Sequence, residues 1–366
     1  MPLSSLDALR LRWARWRNGI LSDPGFRRWA SGMPIFRQVS RRYARDLFDL
    51  SAGFIYAQIT QALVESGLIA ALKERPLTLV EAADVARLSP DAAHTLLKAG
   101  LSLALTERIG ENWTLGTRGA ALSTSPGLAE MIAHHRLVYA DLADPLAMLR
   151  REGGGRLARL WSYDPSSDPA DVAAYSALMA ASQPMVAEQA LAAYRFDRHK
   201  ALLDIAGGEG AFVSAVARTA PGLRLGLFDL PPVVERARAR FADSGLQVAL
   251  HPGSFRTDGL PGGYDLITLV RVLHDHDDSP VSELLAAVHQ ALAPGGRALI
   301  VEPLAETPSA PRVGHAYFGF YLAAMRSGRP RSFEEYRAMA RAAGFSAARL
   351  LPTPVPLVAS VVALEQ

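Results

Sequence analysis

The sequence predicts an α/β protein whose C-terminal half is a parallel sheet covered by helices on both faces, preceded by a mostly helical N-terminal half. Three observations lead there. From Ala201 onward, short apolar runs alternate with helical stretches. Within that half, LLDIAGGEGAF (202–212) reads as strand, glycine turn and helix start. Before it, apolar positions recur at helical spacing, apart from one stretch that alternates like a hairpin.

The chain has 366 residues, enough for two domains, and its 49% hydrophobic and 20% charged residues are those of a globular protein. It has no cysteine, which excludes a disulfide, a thiolate nucleophile and a Cys-ligated zinc. No run approaches the ~18 uninterrupted apolar residues that span a bilayer, and arginines stand where a signal peptide would be apolar. The expected location is cytoplasmic.

Charge is uneven. Residues 1–45 hold ten arginines against Asp7 and Asp23, an excess of +8, which leaves about −5 for the rest. This leader, LRLRWARWRNGILSDPGFRRW, also carries Trp13, Trp16 and Trp29. The ordinary reading is a helical arm clasping the protein or a partner subunit. The alternative is peripheral contact with the cytoplasmic face of the inner membrane, with tryptophan at the headgroup boundary and guanidinium on phosphate.

Residues 46–127 form the next expected unit. LTLVEAADVARLSPDAAHTLLKAGLSLAL reads as helix, turn, helix, and ERIGENWTLGTRG as the hairpin of a winged helix. The would-be recognition helix, 90–105, offers only Lys98 against Asp91, and residues 77–120 hold five acids and four bases. DNA binding needs several phosphate contacts, so no nucleic-acid partner is expected; the apolar helices fit a homodimer contact instead. Residues 128–196 are expected to be helical, broken by REGGGR and SYDPSSDP, with Met179 and Met185 serving either as core filling or as a plastic pocket wall.

The catalytic half, 197–366, should contain strands at 201–206, 223–228, 246–251, 264–270, 297–302, 345–351 and 357–364. Helices are expected at 211–220, 231–242, 281–292 and 333–343. The last two strands are joined by PTPVP, too short for a helical crossover, so they should be antiparallel. The glycine loop is spaced G-G-x-G, with Val213 where a dinucleotide fingerprint has its third glycine. Asp204 just before it would repel a pyrophosphate but could help hold an ammonium, directly or through water. S-adenosylmethionine carries that ammonium, a sulfonium and no phosphate, and is favoured over NAD. Asp229, ending LFDLPP, suits the ribose hydroxyls or a helix cap. Phe255 could stack on adenine. RVLHDHDDS (271–279) follows the fourth strand, at the sheet edge where such folds bind ligands. His274 reads as a general base, as a metal ligand with His276 and Asp277 or Asp278, or as part of an ordinary helix start.

LLDIAGGEG, FDLP, GSF, RVLHDHDD, LAPGGRALIVEP and RAAGF together resemble the small-molecule O-methyltransferases, which join a winged-helix dimerisation domain to a class I methyltransferase domain. That implies a seven-stranded sheet with a reversed final hairpin over about residues 46–366. It also implies S-adenosylmethionine as cofactor, S-adenosylhomocysteine as product, and no metal. By this resemblance Gly207, Gly208 and Gly210 approach the cofactor, Asp229 and Leu230 flank its ribose, Gly253, Ser254 and Phe255 its adenine, and Arg271 contacts it beside the base. His274 is then the base, Asp275 orients it or touches the cofactor, and Glu302 is a candidate second carboxylate. Two departures stand out: Ser254 replaces an acid, and His276 a tryptophan. A further acid is not found in RSFEEY, where Phe333 aligns.

AYFGFYLAAM (316–325) places Tyr317, Phe318, Tyr321 and Met325 as a greasy pocket wall for a hydrophobic small molecule. The leader, FDLSAGF (48–54) and YSALMAASQ most resemble the bacterial 1-hydroxycarotenoid O-methyltransferases, which implies methylation of the tertiary 1-hydroxyl of an acyclic carotenoid. Another hydrophobic ring compound, such as a bacteriochlorophyll precursor, a polyketide or a phenol, is the alternative substrate. A winged-helix regulator is the alternative from another functional class.

Overall fold

A computed structural model describes residues 4–125, 127–152, 155–161 and 169–366, without the side chains of 160–161 and 169–180. The backbone separates into two compact units, Met1–Gly119 and Ala120–Gln366.

In the first unit, helices Ser5–Ser22 and Pro24–Gly32 lead into the 32-residue helix Pro34–Glu65. That helix runs straight through residue 45, so the leader does not end at a linker there, and the unit closes at Gly119 rather than 127. By length and apolarity alone the same helix could cross a bilayer, although charged residues interrupt its apolar run. Its C-terminal turns are instead partly buried within the unit, at Gln61 and Leu63. Helices Leu79–Ala86 and Pro90–Ser102 start on side-chain caps from Thr78 and Ser89, the first a reciprocal capping box with Glu81. Strands β1 (Leu77–Thr78), β2 (Thr106–Ile109) and β3 (Asn112–Leu115) form an antiparallel sheet in the order β1-β3-β2. Its Trp113 is buried, as are Leu63, Leu68, Leu97 and Leu77 elsewhere in the unit.

The second unit is built on a seven-stranded sheet in the order β6-β5-β4-β7-β8-β10-β9. Its strands are β4 (Ala201–Ile205), β5 (Arg224–Asp229), β6 (Ala249–Pro252), β7 (Tyr264–Val270), β8 (Leu292–Glu302), β9 (Ala347–Leu351) and β10 (Ser360–Glu365). β4 to β8 pair in parallel, whereas β10 is antiparallel to both β8 and β9. Successive residues face opposite layers, as a pleated strand requires. Leu202, Leu266 and Leu299 join one core with helices Ala211–Thr219 and Pro231–Ser244. Leu203, Ile267 and Ile300 join the other with helices Asp278–Ala291 and Phe333–Ala342. Val186, Ala187 and Ala190, near the end of helix Pro169–Ala193, belong to the first core, so the middle helices are part of this unit and not a separate linker.

β8 begins earlier than the expected 297. The APGG segment is an irregularity inside the strand, with pairing passing from Tyr264–Leu292 to Leu266–Arg297 and Gly295 at φ +73°. SYDPSS, expected as loop, lies outside the described residues.

The strand order reverses between β4 and β7, which opens a crevice at their C-terminal ends. The glycine turn after β4 and the HDHDD segment after β7 therefore emerge side by side. In the turn, Gly208 (φ +59°) has open space where a side chain would start. Gly210 (φ +77°) is different: a Cβ there would sit 2.1 Å from the Phe241 ring. Gly208→Ala should cost about 1–2 kcal/mol for its left-handed backbone alone. Gly210→Ala should cost roughly 1–3 kcal/mol more from overpacking against Phe241. Denaturant unfolding of the two variants checks the order; equal losses would contradict the packing role.

Candidate active site

His274 lies in a short 3-10 turn, Leu273–Asp275, immediately beyond β7. Arg271, in the left-handed region at φ +56°, bends the chain there. The imidazole is buried between two carboxylates: Nδ1 is 3.0 Å from Glu302 Oε2, and Nε2 is 3.1 Å from Asp275 Oδ1. The backbone N–H of His274 also donates to Glu302 Oε2 at 3.2 Å. Glu302 is fully buried at the end of β8, and its other oxygen accepts from the Tyr336 hydroxyl. Burial alone would lower the His274 pKa, but Asp275 and Glu302 reverse it and hold the imidazole up at about 10. Burial would likewise raise Glu302, yet the histidine's charge and hydrogen bonds keep it below the usual range.

The loop is tied down from behind. Arg331, fully buried, donates through Nη1 to Leu273 O and through Nη2 to His276 O, both at 2.8 Å, and its Nε and Nη2 hold Asp278 Oδ1. Arg329 N–H donates to His274 O at 2.9 Å. A Cβ on Gly328 would lie 2.1 Å from that same carbonyl, so only glycine fits. Sequence reasoning missed Tyr336, Arg331 and Gly328. Where an acid was sought in RSFEEY, the structure supplies the hydroxyl of Tyr336, one helical turn past Phe333.

The HDHDD side chains diverge. His276 Nδ1 meets Arg256 Nη2 at 3.1 Å, Asp277 accepts from Gly328 N–H, and Asp278 pairs with Arg329 and Arg331. No three such ligands converge among the described residues. His276 packs edge-on to Phe255 with ring centroids 5.2 Å apart.

His274 opens onto a cavity of about 1040 Å³ within the second unit. Of the residues expected around the cofactor, Gly208, Asp229, Leu230, Gly253, Ser254, Phe255 and Arg271 line it together with Asp275. Asp229 holds the glycine turn: its Oδ2 accepts from Gly208 N–H and its Oδ1 from Leu230 N–H, each at 2.7 Å. The helix cap position is Leu230, so Asp229 is not the N-cap. Burial raises the Asp229 pKa against those bonds.

Three expected cofactor residues do not line the cavity. Gly210 is engaged with Phe241, and Gly207 covers Asp204, whose Oδ2 would lie 2.7 Å from a Cβ there. Asp204 itself is fully buried. Its Oδ1 accepts from Thr268 at 2.6 Å, and its Oδ2 is unpaired among the described residues. Burial pushes its pKa to about 7 despite the Thr268 bond. Only the indirect form of the ammonium contact is open to it. Glu302 also stays off the cavity wall, behind His274.

Met185, Tyr317, Phe318 and Tyr321 line the remainder of the cavity, and Phe318 lies 5.7 Å from the His274 ring. Met325 does not. It is buried with Val138, Met148, Leu157 and Leu322, a cluster against which Phe318 and Tyr321 also pack. The side chain of Met179 lies outside the described residues. A polar feature not anticipated is the pairing of His134 with the Tyr321 hydroxyl (3.0 Å) and of His135 with the Tyr317 hydroxyl (2.8 Å). Burial lowers both histidines, His134 to about 4, so these two imidazoles are neutral near pH 7.

The family model described as an O-methyltransferase domain matches residues 139–346. Demethylspheroidene O-methyltransferase of Cereibacter sphaeroides is 42% identical over 340 residues, spanning 91% of this chain and 90% of that protein. The chain belongs to the O-methyltransferase family. A protein of the same description from Rhodobacter capsulatus is 40% identical, over 91% of this chain and 85% of its own. Human N-acetylserotonin methyltransferase, solved in complex with SAM, shares the fold with a TM-score of 0.73 at 24% identity, over 88% of this chain and 97% of that one. The sheet with its reversed final hairpin is the class I methyltransferase fold, and the chain is a methyltransferase.

O-methylation removes a proton from the acceptor hydroxyl, and His274 is the residue expected from the sequence to take it. The raised pKa makes the imidazole a stronger base at the cost of its neutral fraction near pH 7. The rate should therefore rise with pH beyond neutrality, as the imidazolium gives up its proton. Glu302→Gln removes one of the charges that hold the proton, and should shift the rising limb of kcat/KM downward by about one pH unit or more. A limb unmoved by that substitution would mean that another group titrates.

Proposed function

We propose that this protein transfers a methyl group from S-adenosylmethionine to the tertiary 1-hydroxyl of an acyclic carotenoid, with His274 as general base. The observation that carries the reading is His274, backed by the buried Glu302, opening onto a cavity whose wall includes Tyr317, Phe318 and Tyr321. Identity of 42% with demethylspheroidene O-methyltransferase supports the substrate class.

The residues around the glycine turn fit a sulfonium nucleoside. The turn is open above Gly208 and Asp229 presents a carboxylate beside it, which would oppose a pyrophosphate but suits ribose hydroxyls and a cation. When bound, S-adenosylmethionine supplies an electrophilic methyl carbon and leaves as S-adenosylhomocysteine. What the chain contributes is position, dryness and a proton acceptor. Asp229 and Phe255 would hold the nucleoside, while Phe318 and Tyr321 exclude water around the hydroxyl. Alignment of reactants supplies roughly 7–11 kcal/mol in well-oriented systems.

A tertiary alcohol is too weakly acidic to ionise first, so His274 must accept its proton as the C–O bond forms. A base stiffened by two carboxylates suits so poor an acid better than an isolated imidazole. A cation in the same cavity favours neutral imidazole before reaction, since like charges oppose one another. Glu302 keeps Nδ1 engaged, leaving Nε2 as the acceptor once Asp275 yields its contact. The same reading includes a cytoplasmic homodimer. Leu47, Phe48, Leu50 and Phe54 on helix Pro34–Glu65 are exposed in the single chain and fit a subunit contact.

Incubation with methyl-labelled S-adenosylmethionine and a 1-hydroxycarotenoid should give one labelled methyl ether, and His274→Ala should reduce turnover by about 10²–10⁴-fold while cofactor affinity holds. Labelling of phenols but not of the carotenoid would overturn the substrate. Parallel loss of affinity and turnover would make His274 structural.

A further inference from the structure

The helix Ser5–Ser22 carries a surface that methyl transfer leaves unused. Leu6, Leu9, Trp13, Trp16 and Ile20 recur at alternating steps of three and four. On an α-helix they form one stripe roughly 80° wide. Arg10 and Arg17 fall along one flank of it and Arg12 along the other. The Arg17 guanidinium lies 4.9 Å from the centre of the Trp13 ring. Arg10 reaches Asp7 only at 3.9 Å, with both side chains exposed.

No residue of this helix is buried, and Trp16 is 64% and Leu9 62% exposed. An apolar stripe of this kind on a globular protein normally faces its core. Further along, Trp29 is also exposed and clusters with Phe26 and Phe36, at 5.7 and 5.8 Å, beside Arg27 and Arg28. Ten arginines against two aspartates in residues 1–45 call for an extended negative partner.

We infer that Ser5–Ser22 lies in the headgroup layer of a bilayer containing anionic phospholipid. The stripe sinks to the acyl boundary, the tryptophan rings sit at the interface and the flanking arginines meet phosphates. A second copy packed stripe to stripe would cover the apolar residues but bring two leaders of excess +8 together, without the negative charge that the arginines call for. Anionic lipid supplies both. Docking there would put the enzyme on the phase in which a polyene dissolves, although the surface itself does not depend on the identity of the substrate.

The test is flotation of the full chain with vesicles of phosphatidylcholine alone and of phosphatidylcholine with phosphatidylglycerol in equal parts. Binding is expected only to the anionic vesicles and should weaken with salt. Arg10→Gln, Arg12→Gln and Arg17→Gln together should weaken partitioning about a hundredfold, at roughly fivefold per arginine. Trp13→Ala with Trp16→Ala should also release the protein, while activity on detergent-dispersed acceptor stays unchanged. Equal binding to both vesicles, or none, overturns the inference. So does conversion of a dimer to monomer by the tryptophan substitutions in light scattering, which would assign the stripe to a second copy. Because no substrate is involved, these outcomes are distinct from a failure of the methylation reading.

Discussion

The ion pair between His274 and Glu302 is the contact on which the rest of the site depends. Both groups are buried, and a buried charge without its partner costs several kcal/mol. The fold therefore has to deliver them together. β8 brings Glu302, the turn after β7 brings His274, and helix Phe333–Ala342 brings the Tyr336 hydroxyl that satisfies the second carboxylate oxygen. Arg331 and Gly328 then fix the turn through its own carbonyls. An imidazole held this rigidly has little side-chain freedom left to lose.

The cofactor side is arranged on another principle. Asp229 uses its two oxygens to shape the glycine turn, so the residue expected to hold a ribose also sets the geometry of the loop beside it. The three glycines divide the work: Gly208 leaves open space, Gly207 accommodates Asp204, and Gly210 admits Phe241. Strand order puts this turn next to the base, because β4 and β7 are neighbours at the point where the sheet reverses direction.

Much of this was legible in the sequence. Alternating strands and helices after Ala201 give the parallel sheet, and PTPVP gives the antiparallel end. HDHDD marks the ligand edge because a strand precedes it. The parts that escaped depend on contacts between distant segments. Periodicity puts Tyr321 and Met325 on one helix face but does not show that Tyr321 reaches the cavity while Met325 is buried among Val138 and Leu157. G-G-x-G spacing signals a turn without showing that Gly210 exists for a ring 31 positions away. Tyr336 carries no local signal of its role, since it matters only through Glu302. His134 and His135 carry no local signal of their pairing with Tyr321 and Tyr317, which lie 187 and 182 positions further along the chain.

The charge state of the imidazole in the resting enzyme bears most directly on the central claim. Nitrogen-15 NMR of the histidine-labelled, ligand-free protein reads it without turnover. The account predicts a His274 ring protonated on both nitrogens at neutral pH, losing its proton only well into the alkaline range. A ring already neutral at pH 7, with one bare nitrogen, would contradict it.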